Sequence, residues 1–213
     1  MEKVRILCYG DSNTWGYISG TDHQRYGIGE RWTRILSDLL GDKFEIIEEG
    51  LCSRTLTSND TRPGKEGKNG YEYLMPCLDT HDPIDLVVLM LGTNELKAVY
   101  NKTAEEIGNL LEEYFVKTIL SRKLQSRGVC PKLLIVAPVE VSDRGDSSKV
   151  DKFVGAPEKS RKLNDIYCKI AEKYGCDFLS NKGLETGVDG VHLTKESHKK
   201  LAEMLKEKIG HIF

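Results

Sequence analysis

The sequence has no long hydrophobic run and no excess of charge of either sign. Its longest apolar runs, Leu86–Leu91 and Leu133–Pro138, fall far short of the roughly 20 residues that a membrane-spanning helix needs. The 31 lysines and arginines nearly balance the 33 aspartates and glutamates, and binding to nucleic acid or an anionic membrane requires a basic surface. We therefore expect a globular protein that binds neither nucleic acid nor membrane.

Several motifs are also missing from the sequence. The six cysteines form no C-x-x-C pair, and no signal-like apolar segment follows the N-terminal Met-Glu-Lys. Because disulfides belong to oxidising compartments, we expect six reduced thiols and a cytoplasmic location. A G-x-S-x-G elbow, a P-loop, a G-x-G-x-x-G turn after a strand and zinc-ligand spacing are all absent, so we expect neither a metal nor a cofactor.

Short apolar runs alternate five times with segments of helical periodicity. The five strand-like runs are Val4–Tyr9, Phe44–Glu49, Asp85–Leu91, Lys132–Ala137 and Cys176–Leu179. The helical segments include Trp32–Leu40, Tyr71–Leu78, Ile107–Phe115, Leu163–Tyr174 and Leu201–Ile209. This alternation predicts one α/β domain over residues 1–213, a three-layer sandwich in which helices cover both faces of a five-stranded parallel sheet.

The loops that follow the predicted strands are long, whereas those that precede them are short. The long loops are Gly10–Glu30, Gly50–Gly70, Gly92–Lys102, Pro138–Pro157 and Ser180–Leu193. In a parallel sheet all five leave from the carboxyl edge of the strands, where α/β proteins bind their ligands. Long ordered loops in a compact domain are usually functional, so we expect the site at this edge.

The first and last of these loops carry side chains for nucleophilic chemistry. Ser12 follows the first strand and has two possible roles. Together with Thr14 it could bind a phosphate group, or it could act as a nucleophile, which requires a neighbouring base. Asp189 precedes His192 by three residues, a spacing that lets the carboxylate hold one ring nitrogen. The other ring nitrogen is then free to accept a proton from Ser12.

Two further loops offer hydrogen-bond donors for a developing oxyanion. Gly50 follows the second strand and permits a close backbone approach, and Asn94 follows the third with a neutral amide. Trp15 and Arg54 are candidates for substrate contact. The alternatives are packing for Trp15 and, for Arg54, pairing with a carboxylate such as Glu49 or Asp11.

Four segments of the chain resemble the four conserved blocks of the SGNH (GDSL) hydrolases. These segments are Gly-Asp-Ser-Asn at 10–13, Gly50, Gly-Thr-Asn at 92–94 and Asp-Gly-Val-His at 189–192. The resemblance extends to the small bacterial arylesterase and acyltransferase branch at Glu48–Thr55 and Met90–Asn94. It implies a flavodoxin-like sheet and a catalytic serine, histidine and aspartate at Ser12, His192 and Asp189.

The resemblance also implies the remaining site residues. Its oxyanion donors would be the backbone N–H groups of Ser12 and Gly50 and the side chain of Asn94. Asn13 replaces the leucine in the family's name, which places it in the wall of the expected pocket.

We therefore expect a serine esterase that hydrolyses short-chain, acetyl-type esters through a covalent acyl-enzyme. Acyl transfer to alcohols and assembly into a homo-oligomer are further expectations from the same resemblance. The alternatives are a carbohydrate acetylesterase of the same fold and a flavodoxin-like module that binds phosphate or flavin without hydrolysis.

Overall fold

Five parallel strands form one sheet in the computed structural model, which describes residues 2–123, 126, 128–143 and 151–213. The strands are β1 (Val4–Gly10), β2 (Phe44–Gly50), β3 (Leu86–Met90), β4 (Lys132–Val136) and β5 (Asp177–Leu179). Their order is β2-β1-β3-β4-β5, the flavodoxin-like order whose switch point lies between β1 and β3. All five predicted strands are confirmed. Part of the charged Pro138–Pro157 loop, residues 144–150, lies outside the described residues.

Helices cover both faces of the sheet, which confirms the predicted three-layer α/β sandwich. They are α1 (Ser12–Trp15), α2 (Trp32–Leu40), α3 (Gly70–Thr80), α4 (Ala104–Leu110), a π-helical turn (Leu111–Val116), α5 (Lys117–Ser121), α6 (Ala156–Tyr174) and α7 (Lys195–Ile212). Helices α2 and α7 pack together on one face, and α4 packs with α6 on the other. Thr103 and Glu106 form a capping box at the start of α4, as their spacing in the sequence indicates.

Alternate residues of β1 enter two separate hydrophobic cores. Ile6 and Cys8 pack in the core under α2 and α7, whereas Leu7 and Tyr9 pack in the core under α3, α4 and α6. Successive side chains of a strand point to opposite faces of a sheet. Burial on both faces explains why the strands appear in the sequence as continuous apolar runs.

The strands end in register at the carboxyl edge of the sheet. Gly10, the last residue of β1, lies opposite Gly50 of β2 and Met90 of β3. The loops that follow these three strands therefore start side by side, and this brings residues distant in the sequence to one place.

The cysteines and the helices bear on two expectations from the sequence. All six cysteines are unpaired in the structure, as expected for reduced thiols. Within the part of the chain that the structure describes, no helix has both the length and the apolar composition to span a bilayer. The cytoplasmic location stays a prediction.

Candidate active site

The structure brings Ser12, His192 and Asp189 together at the carboxyl edge of the sheet. Ser12 begins α1 directly after β1, and the other two lie in the loop between β5 and α7. The Ser12 hydroxyl oxygen lies 2.9 Å from Nε2 of His192, and Nδ1 of His192 lies 2.6 Å from Oδ2 of Asp189. All three side chains are buried. This is the geometry in which a histidine takes a proton from serine while a carboxylate orients it.

Asp189 is held as a carboxylate by the groups around it. Its Oδ1 accepts the backbone N–H groups of Val191, at 3.0 Å, and of His192, at 2.9 Å. Burial by itself would raise the pKa of Asp189, but these bonds and the His192 ring hold it well below its usual range. An ionised Asp189 accepts a hydrogen bond from Nδ1–H, so Nε2 of His192 faces Ser12 as the acceptor.

Helix α1 is a single turn whose position depends on Gly10. A Cβ atom at Gly10 would lie 2.1 Å from Oγ1 of Thr14 and 2.7 Å from the carbonyl oxygen of Met90. The carboxylate of Asp11 accepts the Asn13 backbone N–H at 2.9 Å and fixes the start of the turn. Because β1 ends without a side chain, α1 packs closely on the sheet and holds Ser12 at the edge.

Three residues present hydrogen-bond donors to the cleft that contains Ser12. Ser12, Ser53 and Asn94 all line this cleft. The backbone N–H groups of Ser12 and Ser53 have no hydrogen-bond partner among the described residues. Asn94 donates one amide hydrogen to the Arg54 carbonyl oxygen at 2.9 Å, which fixes the amide and leaves its second hydrogen free.

Ser53, and not Gly50, presents a backbone N–H group to the cleft from the second loop, contrary to the expectation from the sequence. Gly50 ends β2 and borders a separate depression, away from Ser12. A Cβ atom there would lie 2.2 Å from the Trp15 backbone nitrogen, so Gly50 allows α1 to pack against the strand. Ser53 has φ +67°, a conformation that glycine and asparagine adopt more often than serine. The residue type therefore gave no indication in the sequence that the chain turns into the cleft here.

Asn13 lies outside the expected pocket wall. Its side chain is buried, its Nδ2 donates to the Val191 carbonyl oxygen at 3.3 Å, and its Oδ1 accepts the Leu193 backbone N–H at 2.9 Å. Both ends of the amide are therefore used to tie α1 to the loop that carries His192. Its role is to position the catalytic pair rather than to contact a substrate.

Arg54 is also a structural residue, as its alternative interpretation stated. Its guanidinium group donates to the Gly10 carbonyl oxygen at 2.9 Å, pairs with the Glu49 carboxylate at 3.8 Å and lies 4.2 Å from the centre of the Tyr9 ring. These contacts hold the ends of β1 and β2 together beneath the cleft.

Trp15 packs beside the cleft instead of lining it. Its ring lies 5.3 Å from the His23 ring, and the Arg25 guanidinium lies 5.1 Å from its centre. Two residues that the sequence analysis did not select, Tyr17 and His23, line the cleft. Tyr17 stacks on His192 at 4.2 Å between ring centres, with 24° between the planes, and so limits the rotation of the catalytic ring.

Glu95 follows Asn94 in the helical turn Thr93–Leu96 and is fully buried. It accepts the Leu56 backbone N–H through Oε1, whereas Oε2 has no partner among the described residues. Burial raises the pKa of Glu95 from 4.5 to about 8. Between pH 4.5 and about 8 the folded chain keeps a proton on Glu95 that the unfolded chain has released. The free energy of unfolding therefore falls as the pH rises through this range.

We expect Glu95→Gln to become more stable relative to wild type as the pH rises from about 5 to about 8. The amide has no proton to lose, and it keeps an oxygen for the Leu56 N–H. The difference in the free energy of unfolding should grow by up to about 1.4 kcal/mol per pH unit. Urea unfolding of both proteins at several pH values measures this difference. Parallel stability curves would show that Glu95 ionises normally in the folded chain.

A second group of polar residues lies outside the cleft, although the sequence has no zinc-ligand spacing. Ligand atoms of Glu49, Cys77 and His81 lie within 4.8 Å of one another. Glu49, however, already pairs with His81 at 2.9 Å and with Arg54. Burial raises the pKa of the Cys77 thiol to about 12, so it stays protonated and is a poor ligand. We therefore assign no metal to this cluster.

Comparisons with known proteins agree with this geometry. The chain is similar to the native aryl esterase of M. smegmatis, with 33% identity over 99% of this chain and 100% of that one, and a TM-score of 0.91. It is also similar to a carbohydrate acetylesterase from Sinorhizobium meliloti, with 34% identity over 99% and 100% of the two chains and a TM-score of 0.92. A lipase/acylhydrolase from Enterococcus faecalis shares the fold, with 15% identity over 98% and 96% of the chains and a TM-score of 0.66.

Among curated protein sequences, none matches the chain. The profile of the GDSL-like lipase/acylhydrolase family matches residues 8–200, which include all four segments that carry the resemblance. The chain therefore belongs to the GDSL-like lipase/acylhydrolase family.

Proposed function

We propose that this carboxylic ester hydrolase cleaves short-chain esters through an acyl-enzyme formed on Ser12. The observation that supports this most strongly is the hydrogen-bonded series from Ser12 through His192 to Asp189, at the wall of a cleft with unpaired donors. Turnover of p-nitrophenyl acetate by the purified chain tests the activity itself. Failure to hydrolyse this or any other short ester would contradict the proposal.

The first half of the reaction transfers the acyl group to the enzyme. The Ser12 hydroxyl attacks the ester carbonyl while Nε2 of His192 takes its proton, and the Asp189 carboxylate stabilises the imidazolium that forms. The tetrahedral intermediate then collapses, and the alkoxide leaves with the proton from His192. In the second half, water attacks the acyl-enzyme by the same route and releases Ser12.

The negative oxygen of each tetrahedral intermediate needs fixed donors. We assign this role to the backbone N–H groups of Ser12 and Ser53 and to the free amide hydrogen of Asn94. Each is held in place before substrate arrives: Ser12 by α1, Ser53 by its turn and Asn94 by its bond to the Arg54 carbonyl oxygen. Such preorganised donors stabilise developing charge without reorganisation.

The size of the cleft favours a small ester. Its volume is about 230 Å³, below the roughly 300–1,000 Å³ of typical ligand pockets. The relatives include an aryl esterase and a carbohydrate acetylesterase, and acetyl esters are compatible with both names. A phosphate or flavin site is disfavoured because the Ser12 hydroxyl bonds to His192 and Thr14 is fully buried.

Acyl transfer to alcohols stays a prediction. A narrow apolar cleft mouth formed by Trp15, Tyr17 and Trp32 would favour an alcohol over water, but the positions of these rings do not support it. Trp15 does not line the cleft, and Trp32 is buried in the core under α2. Of the three rings, only Tyr17 reaches the cleft. Homo-oligomer formation likewise stays a prediction.

Loss of the Asn94 donor should slow catalysis without unfolding the protein. We expect Asn94→Ala to lower kcat on p-nitrophenyl acetate by about 10²–10³-fold, since one preorganised donor contributes about 2.7–4 kcal/mol. The matched control is Asn109→Ala on the exposed face of α4, which should turn over normally. An Asn94→Ala protein with normal kcat would remove this residue from the oxyanion site.

A further inference from the structure

The cleft contains a buried lysine with no partner. Lys97 follows the helical turn Thr93–Leu96, is 9% exposed and lines the same cleft as Ser12 and His192. Its ammonium group makes no hydrogen bond and no ion pair with any described residue, and its nearest aromatic neighbour is the Phe153 ring, at 6.0 Å. Most of the Lys97 side chain is removed from water while its ammonium group has no bonded partner among the described residues, so an anion in the cleft would gain a charge-assisted hydrogen bond there.

The charged groups around Lys97 provide no direct partner for its ammonium group. Glu95 and Asp11 are near enough to favour the charged lysine, yet neither carboxyl group bonds to the ammonium group, and Oδ2 of Asp11 has no hydrogen-bond partner among the described residues. Asp60 lies near but forms its ion pair with Arg62, with Oδ1 2.8 Å from Nε. Burial lowers the pKa of Lys97 to about 8, which leaves the lysine mostly charged at neutral pH.

The rest of the cleft adds positive charge. Arg62, Lys65 and Lys152 also line it, and Asp22 is the one acidic residue among the described lining residues. A cleft lined by charge of one sign concentrates the field and raises the local concentration of oppositely charged ligands. Arg62 is paired with Asp60, and Lys65 and Lys152 are more exposed than Lys97, so Lys97 is the buried cation of the cleft lining.

We propose that the ester hydrolysed here carries a carboxylate, which binds the ammonium group of Lys97 while Ser12 attacks the ester carbonyl. This rests on the proposed function, because it names the substrate class of that same site. A carboxylate matches one ammonium group, whereas phosphate sites typically combine several backbone N–H groups or a free arginine. Lys97 and Ser12 line the same cleft of about 230 Å³, so one small molecule that carries both a carboxylate and an ester can reach both residues.

The test compares esters that differ in charge. One pair, para-acetoxybenzoate and its methyl ester, places the carboxylate on the alcohol side. The other, p-nitrophenyl hydrogen adipate and its methyl ester, places it on the acyl side. The kcat/KM of each ester is divided by its rate constant for hydrolysis by hydroxide. This corrects for differences in intrinsic reactivity between the esters. The anion-to-neutral ratio is then taken on one protein, so a general loss of activity cancels.

We expect wild type to favour the anion in at least one pair. Lys97→Met should lower that ratio by about ten- to a hundred-fold, equivalent to about 1.4–2.8 kcal/mol, mainly through KM. Lys97→Arg keeps the charge and should retain much of the preference. The control Lys206→Met removes an exposed lysine of α7 and should leave the ratio unchanged.

Two results would overturn the inference. One is a wild type with no preference for the anion in either pair, which decides the question even if Lys97→Met does not fold. The other is a Lys97→Met protein that keeps the preference, because the remaining cations would then carry it. Failure to hydrolyse any of the four esters contradicts the proposed function itself, whereas turnover without preference contradicts this inference alone.

Discussion

Replacing Ser12 with alanine should lower kcat on p-nitrophenyl acetate by a factor of about 10⁶, the loss typical of a missing nucleophile in a serine hydrolase. The serine hydroxyl bonds to Nε2 of His192, so its removal takes away the attacking atom and leaves the backbone donors in place. The fold should persist, because this hydroxyl makes no other hydrogen bond with a described residue. Steady-state rates and thermal midpoints of both proteins measure the two effects.

The matched control for this variant is Ser37→Ala. Ser37 lies on α2, away from the cleft, so its loss tests whether any removed hydroxyl has the same effect. We expect the control to retain wild-type turnover. Hydrolysis by Ser12→Ala within ten-fold of wild type would mean that another group attacks the ester.

The second large effect is expected from Asp189→Asn, which should lower kcat by about 10⁴-fold. The new amide can still accept the backbone N–H groups of Val191 and His192 through its oxygen. Its NH₂ group then faces Nδ1 of His192 and turns that nitrogen into an acceptor. Nε2 carries the proton instead and cannot take one from Ser12.

The double variant distinguishes a shared mechanism from independent damage. Residues that act as a unit have non-additive effects, so Ser12→Ala with Asp189→Asn should be no slower than Ser12→Ala alone. The control Asp38→Asn, on the exposed part of α2, should have normal kcat. An Asp189→Asn protein of normal rate would show that the carboxylate does not orient His192.

The fold and the catalytic residues were predictable because they depend on local patterns. Strands buried on both faces have continuous apolar sequences, and their alternation with helices predicts a parallel sheet, whose flavodoxin-like form came from the family resemblance. The parallel arrangement then places every long loop at one edge. This topology puts the serine after β1 and the aspartate and histidine after β5 at the same edge, although β3 and β4 separate the two strands.

The contacts around the catalytic residues were not predictable, because they depend on the directions of side chains in short turns. Asn13 was expected in the pocket for its proximity to Ser12, yet consecutive residues of a helical turn point in different directions. The donor was expected at Gly50, but the chain reaches the cleft at Cys52 and Ser53, within a turn closed by a 3.0 Å bond from the Arg54 N–H to the Leu51 oxygen.

The cationic lining of the cleft was missed for a related reason. Arg62 and Lys65 follow β2, Lys97 follows β3, and Lys152 precedes α6. Each lies among ordinary charged residues in the sequence, and the near-zero net charge of −2 conceals their convergence. Only the packing of the loops places them around one small volume.

Labelling with a fluorophosphonate tests the central claim most directly, because this reagent modifies a serine that a neighbouring histidine activates. We expect one adduct per chain, on the peptide that contains Ser12, and no adduct in Ser12→Ala. Labelling should also be much slower in Asp189→Asn. A wild-type protein that hydrolyses p-nitrophenyl acetate but takes no label, or takes it on another residue such as Ser53, would contradict the assignment of Ser12 as the nucleophile.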